Sequence, residues 1–197
     1  FFFADTVTTI NFTKDKEGHG WMGVRFQLDP KATPNQVILH VRLLENTSLQ
    51  QQETYGVLGT NLIYACYNHY KYPNQFLQSL MDTLLPYQLE ITMIEMAGPD
   101  LEYVDNRLLG VQLVKNGMTD AVMFAPDGNN VLPARVLYKK NILTLRGSFR
   151  PVTKVNMDMF EKSYEMFIKE NKVDKEKTQV IFEITLSNLR AEGEIDE

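Results

Sequence analysis

A single cysteine, Cys66, in 197 residues leaves no internal disulfide to form. It lies in the apolar run Leu62-Ile63-Tyr64-Ala65-Cys66-Tyr67 and reads as a buried, inert thiol in a reducing, cytoplasmic compartment. No stretch approaches the roughly 18 consecutive apolar residues of a membrane span. Positive charge is short as well. With 25 acidic against 20 basic residues the net charge is −5, which disfavours nucleic acid as a partner, because displacing counterions from phosphates needs clustered cations. The densest lysine run, Lys169 to Lys177, alternates with Glu170, Asp174 and Glu176 and reads as a solvated helix end.

Familiar catalytic signatures are missing too. His19, His40 and His69 are far apart and lack the i, i+4 spacing of a helical metal site. There is no His/Cys cluster, no glycine-rich loop closing on Lys-Ser/Thr, and no Gly-x-Ser-x-Gly elbow. Gly18-His19-Gly20-Trp21-Met22-Gly23 resembles a glycine loop but runs into a strand rather than a helix, so it does not give the phosphate-cradling geometry. The opening Phe1-Phe2-Phe3-Ala4 lacks the basic flank of a signal peptide, and the acidic end Ala191–Glu197 reads as a connection to a further element. The expectation is a segment of a longer chain.

What remains is ordinary globular composition, 44% hydrophobic and 23% charged, without a Pro/Gly/Ser linker or an internal repeat, which predicts one folded domain over 1–197. Residues 1–45 read as a β-rich extension, with strands at Trp21–Leu28 and Val37–Leu44. From 46 to 197 strands and helices alternate. Helical stripes cover Leu49–Tyr67, Phe76–Leu85 after Pro73, Val104–Lys115 closed by Gly117, and Met157–Ile168. The order β-α-α-β-α-β-α-β-α-β predicts an α/β fold with a mainly parallel sheet and flanking helices, either an open doubly wound sheet or part of a (β/α) barrel.

Parallel strands deliver their carboxyl ends to one edge, where ligand sites are built. Four apolar runs end in polar residues: Leu89–Met96 before Gly98-Pro99-Asp100, Ala121–Ala125 before Pro126-Asp127-Gly128, Ile142–Leu145 before Arg146-Gly147-Ser148-Phe149-Arg150, and Val180–Leu186 before Ser187-Asn188. Period two puts Glu95 in line with Leu89, Ile91 and Met93, a carboxylate that serves either a site or a satisfied core. Arg146, Gly147, Ser148 and Arg150 would suit a phosphate or carboxylate, or else pair with nearby acids around a tight turn. Asp100, Arg107 and Glu183 are additional candidates, with helix capping the commoner use of Asp100 and Asp105.

Several stretches together resemble a largely uncharacterised bacterial family often labelled nicotinate-nucleotide adenylyltransferase. They are His19–Gln27, Gln51–Ala65 around Gly56 and Gly59, Gly98–Phe124 with Asp105-Asn106-Arg107, Tyr138–Thr153, and Glu183–Glu197. The label implies a Rossmann-like fold with a His-x-Gly-His motif, of which His19-Gly20-Trp21-Met22 carries one histidine. The expected function is a cytosolic, nucleotidyltransferase-like enzyme acting on a nucleotide or phosphorylated metabolite. Arg146 and Arg150 would hold the anion, Ser148 and the Gly147 backbone would assist, and Glu95 with Asp127 would act as acid and base or bind Mg²⁺. The alternative is a non-catalytic scaffold or assembly subunit that binds protein partners or further copies of itself.

Overall fold

The fold is that of a computed structural model, which describes residues 1–187. The chain divides into two compact units, Phe1–Leu132 and the part from Pro133 onward.

The first unit is a four-stranded antiparallel sheet of β1 (Phe2–Thr8), β2 (Gly18–Phe26), β3 (Asn35–Leu43) and β4 (Leu89–Ala97), in that order across the sheet. Residues 1–45 are therefore no extension, since they supply three of its strands. Alternation in β2 and β3 turns Met22, Val24, Phe26, Val37, Leu39 and Val41 to one buried face. Against that face lie α1 (Ser48–Asn68), α2 (Pro73–Leu80) and α3 (Asn106–Lys115), through core residues such as Leu58, Leu62, Phe76, Leu80, Leu109 and Leu113. Cys66 belongs to this core, and burial pushes its thiol up to about 12.

The doubly wound parallel sheet is overturned by this pairing, and with it the nucleotidyltransferase-like α/β description. The cause is a helix count. A strand followed by one helix returns to a parallel strand, whereas the two successive helices α1 and α2 reverse the chain once more, so β4 enters antiparallel to β3. The run at 121–125 is likewise a hairpin arm: β5 (Met123–Phe124) pairs antiparallel with β6 (Asn130–Val131) across the Pro126-Asp127-Gly128 turn.

The second unit holds the one parallel pair among the described residues. β7 (Asn141–Arg146) and β8 (Thr178–Glu183) are joined through the single helix α5 (Lys154–Phe167), after the short α4 (Pro133–Leu137). Thr153 and Asn156 form a capping box at the start of α5. Phe149 and Phe160 pack on Phe182 of β8, with ring centroids 5.2 and 5.7 Å away. The carboxyl ends of Leu89–Met96 and of β7 thus belong to different sheets, which removes the shared edge on which the site expectation was built. No helix among the described residues is long and apolar enough to cross a membrane.

Candidate functional site

In the first unit the helices pack on one face of the sheet, and the residues of the opposite face line up in rows across the strands. Directly paired residues of antiparallel strands point the same way. One row is Phe2–Arg25–Gln36, the next Ala4–Gly23–Ile38–Glu95, the third Thr6–Trp21–His40–Met93. The middle row is low where it carries Ala4 and Gly23, and the bulky rows on either side stand above it. The result is a trough of about 350 Å³, with Trp21 in one wall, Phe2 and Arg25 in the other, and Ile38 at its end. Phe2 is 65% exposed, and Arg25 has neither an ion pair nor a hydrogen bond among the described residues.

The strands beneath the trough are held from the helix side. Tyr55 of α1 places its hydroxyl 2.6 Å from the Trp21 carbonyl oxygen and 3.1 Å from that of Thr6, tying β1 to β2 under the wall. Burial pushes the Tyr55 phenol up to about 12. Gln51, one turn earlier, accepts from the Ile10 amide at 2.7 Å and donates to the carbonyls of Leu43 and Glu45. Both side chains need space that only glycine leaves. A Cβ on Gly18 would stand 2.2 Å from Gln51 Oε1, and one on Gly20 2.6 Å from the Tyr55 ring. The glycine-rich stretch at 18–23 therefore admits helix side chains against the sheet, and its third glycine floors the trough.

Beside the trough, His40 meets the Trp21 ring edge-on at 4.7 Å and lies 2.6 Å, through Nδ1, from Thr92 Oγ1. Burial, helped by the neighbouring His19, pulls the His40 pKa down to about 4. The last row is polar: Arg42 bonds Glu90 at 2.7 Å and Glu17 at 3.1 Å, and Glu90 accepts from Thr119 at 2.6 Å.

Glu95 belongs to this open face, not to the core-facing stripe that period two assigned it. The β3–β4 register shifts between His40 and Val41, so that Thr92 of β4 is an extra residue. Leu89 and Ile91 before the bulge, and Ile94 and Met96 after it, are buried, whereas Met93 and Glu95 turn to the other side. The Glu95 carboxylate has no partner among the described residues.

The other candidates fall into three places. Asp127 and Arg107 come together in a polar cleft of about 420 Å³ between the start of α3 and the hairpin turn. There Asp127 accepts from the backbone and side-chain nitrogens of Asn129 at 3.0 and 2.9 Å. Arg107 folds back on Asp105, the cap of α3, with Nη2 2.9 Å from Oδ2, and its hydrogen bonds hold the Asp105 carboxyl below the usual range. Asp100 pairs with Asn35. In the second unit Arg146 donates to Glu183 at 2.8 Å, and the Gly147 amide donates to the Glu183 carbonyl oxygen at 3.1 Å. Two donors of the expected anion clamp thus already have a partner. Ser148 and Arg150 follow in an irregular segment with a cis peptide between Arg150 and Pro151. Among the described residues no group of three or more His, Cys, Asp or Glu is placed to hold a metal ion.

The trough was hidden in a legible pattern. Alternation in Trp21–Phe26 sets Trp21, Gly23 and Arg25 opposite Met22, Val24 and Phe26; only the pairing partners Ala4 and Ile38 had to come from the fold. No family model, curated protein or solved structure matches the chain.

Proposed function

We propose that this chain is a non-catalytic protein-binding module, and that the uncovered sheet face takes a large apolar side chain of the partner into the trough beside Trp21. The observation that carries this reading is the trough itself. It is an open, mostly apolar depression walled by Trp21 and Phe2, on a face that the unit's own helices leave bare. Its shallowness favours a partner's side chain over a metabolite, because small-molecule sites enclose most of their ligand. The engagement of Arg146 and Gly147 by Glu183 supports the scaffold alternative further.

Trp21 is the only tryptophan, so intrinsic fluorescence reports on the wall directly. Titration with a serine-rich nonapeptide carrying one central leucine gives a saturable change in emission, and Gly23→Leu, which fills the floor, abolishes it while the thermal melt stays cooperative. The reading is overturned if no apolar peptide changes the emission, or if calorimetry instead finds nucleotide or sugar-phosphate binding with Mg²⁺.

A further inference from the structure

We infer that the open sheet face carries a second site beside the trough, in which His19 and His40 chelate one divalent transition-metal ion through their Nε2 atoms. The hydrogen bonds of the two rings carry this assignment. The Thr92 hydroxyl donates its one proton to the His40 carbonyl oxygen at 3.2 Å, so His40 Nδ1, 2.6 Å from Thr92 Oγ1, must itself be a donor. His19 Nδ1 lies 3.4 Å from the Glu17 carbonyl oxygen, which can only accept. Both rings therefore hold a proton on Nδ1 and keep the Nε2 lone pair. This is the tautomer of a metal-binding histidine whose other ring N–H is taken by an oxygen behind it. Neither Nε2 has a partner among the described residues, and that of His40 is not sealed from solvent although the residue is only 4% exposed.

The fold brings the two lone pairs together. His19 pairs with Arg42 and His40 with Trp21, so the histidines are diagonal neighbours on adjacent strands, and their ring centroids stand 6.0 Å apart. The two nitrogens of an imidazole lie on opposite sides of its long axis. With Nδ1 of His40 held on the β4 side, Nε2 is on the side of β2, where His19 stands. At about 2.0–2.1 Å per metal–nitrogen bond, two imidazoles on one ion have centroids about 4.5 Å apart at a right angle and about 6.4 Å apart in line. The observed separation falls inside that range. Two side-chain ligands leave the remaining coordination positions to water. The donor set also selects the ion. Imidazole suits Cu²⁺, Ni²⁺ and Zn²⁺, with Cu²⁺ held most tightly, whereas Mg²⁺ and Ca²⁺ need oxygen ligands. The Glu17 and Glu90 carboxylates of the neighbouring row are already engaged by Arg42.

Trp21 meets the His40 ring edge-on at 4.7 Å, so a paramagnetic ion held by the pair quenches the protein's only tryptophan. Chelator-stripped protein titrated with CuSO₄ at neutral pH loses Trp21 emission to saturation at one equivalent, and EDTA restores it. Zn²⁺ competes for the site without quenching, and millimolar Mg²⁺ has no effect. His19→Gln and His40→Gln each weaken Cu²⁺ binding by about tenfold or more, whereas His69→Gln, at the end of α1, binds as wild type does. His19 is exposed, so its variant keeps the fold and tests the pair independently of His40. Absence of quenching at one equivalent in wild type overturns the assignment, as does unchanged affinity in His19→Gln. Neither result bears on the peptide test of the trough, because Gly23→Leu fills the floor and leaves both histidines in place.

Discussion

Asn35 and Asp100, 65 residues apart, exchange two hydrogen bonds: Asn35 Nδ2 donates to Asp100 Oδ2 at 2.8 Å, and the Asp100 amide donates to Asn35 Oδ1 at 2.9 Å. Asn35 is fully buried at the first position of β3, and Asp100 lies in the 3₁₀ turn that follows β4. The exchange closes the end of the β3–β4 pair on which the trough's outer row depends. Asn35→Leu keeps the volume and removes both bonds, so chemical denaturation should show a loss of about 1–3 kcal/mol. Asn35→Asp should cost more at pH 7, because it sets a carboxylate against that of Asp100, and should recover part of the loss as the pH falls through the carboxylate range. Equal stability of wild type and Asn35→Leu would deny the pair a structural role.

Gly98 gives a second test of the same corner. Its φ of +135° lies where L side chains are strained, and a Cβ there would stand 2.6 Å from the Asn35 Cα, which is backbone and cannot rotate away. Gly98→Ala should therefore destabilise more than Asn35→Leu, with a lower midpoint in urea and an unchanged slope. A variant as stable as wild type would mean that the corner relaxes freely.

His40 sets a pH dependence. Its folded pKa, near 4, is depressed below the ordinary 6.5 by burial and by His19. Above about pH 6.5 both folded and unfolded chains hold it neutral and it contributes no slope. Between 6.5 and 4 the unfolded chain binds the extra proton, so stability falls as the pH falls, by on the order of 2–3 kcal/mol in all, and levels off below 4. His40→Gln retains a hydrogen-bonding group for Thr92 and lacks the titration. Its denaturation midpoint should be flatter over that window; a slope equal to that of wild type would assign the effect to other groups.

The stripe at Tyr55, Leu58 and Leu62 marks α1, whereas the one at Leu77, Leu80, Met81 and Leu84, which predicts a helix over Phe76–Leu85, overruns α2, which starts at Pro73 and ends at Leu80. The direction of β4 depended on counting those two helices as two reversals, and the alternation of strand and helix conceals that count. Glu95 was misplaced for another reason. A bulge at Thr92 leaves no composition signal, yet it turns every later residue of the strand to the other face. Trp21, Gly23 and Arg25 shared a face in the sequence already, but a trough exists only once Ala4 and Ile38 are paired beside them.

Tyr55 links the core to the trough wall, so removing its hydroxyl should be felt on the far side of the sheet. Tyr55→Phe keeps the packed ring and leaves the Trp21 and Thr6 carbonyls short of a donor. A loss of about 1 kcal/mol is expected, together with a change in Trp21 emission as the β1–β2 pair loosens. Altered stability with identical emission would separate the phenol from the wall.

Arg146 and Glu183 decide whether the second unit can receive an anion. The pair is exposed, with Arg146 66% accessible, and solvent screens it, so Arg146→Ala should leave the melting temperature of the chain almost unmoved. A phosphate reaching Arg146 must compete with a carboxylate already 2.8 Å from Nη2, whereas Arg150, in the segment that follows, has no partner among the described residues. Glu183→Gln removes the competing charge and keeps the side chain's size. If the guanidinium is an anion ligand held in reserve, inorganic phosphate should raise the melting temperature of Glu183→Gln, not of wild type, and the gain should vanish in the double variant Glu183→Gln/Arg146→Ala. An unchanged melting temperature in all three proteins would confine Arg146 to its place between β7 and β8, as a cross-strand ion pair and nothing more.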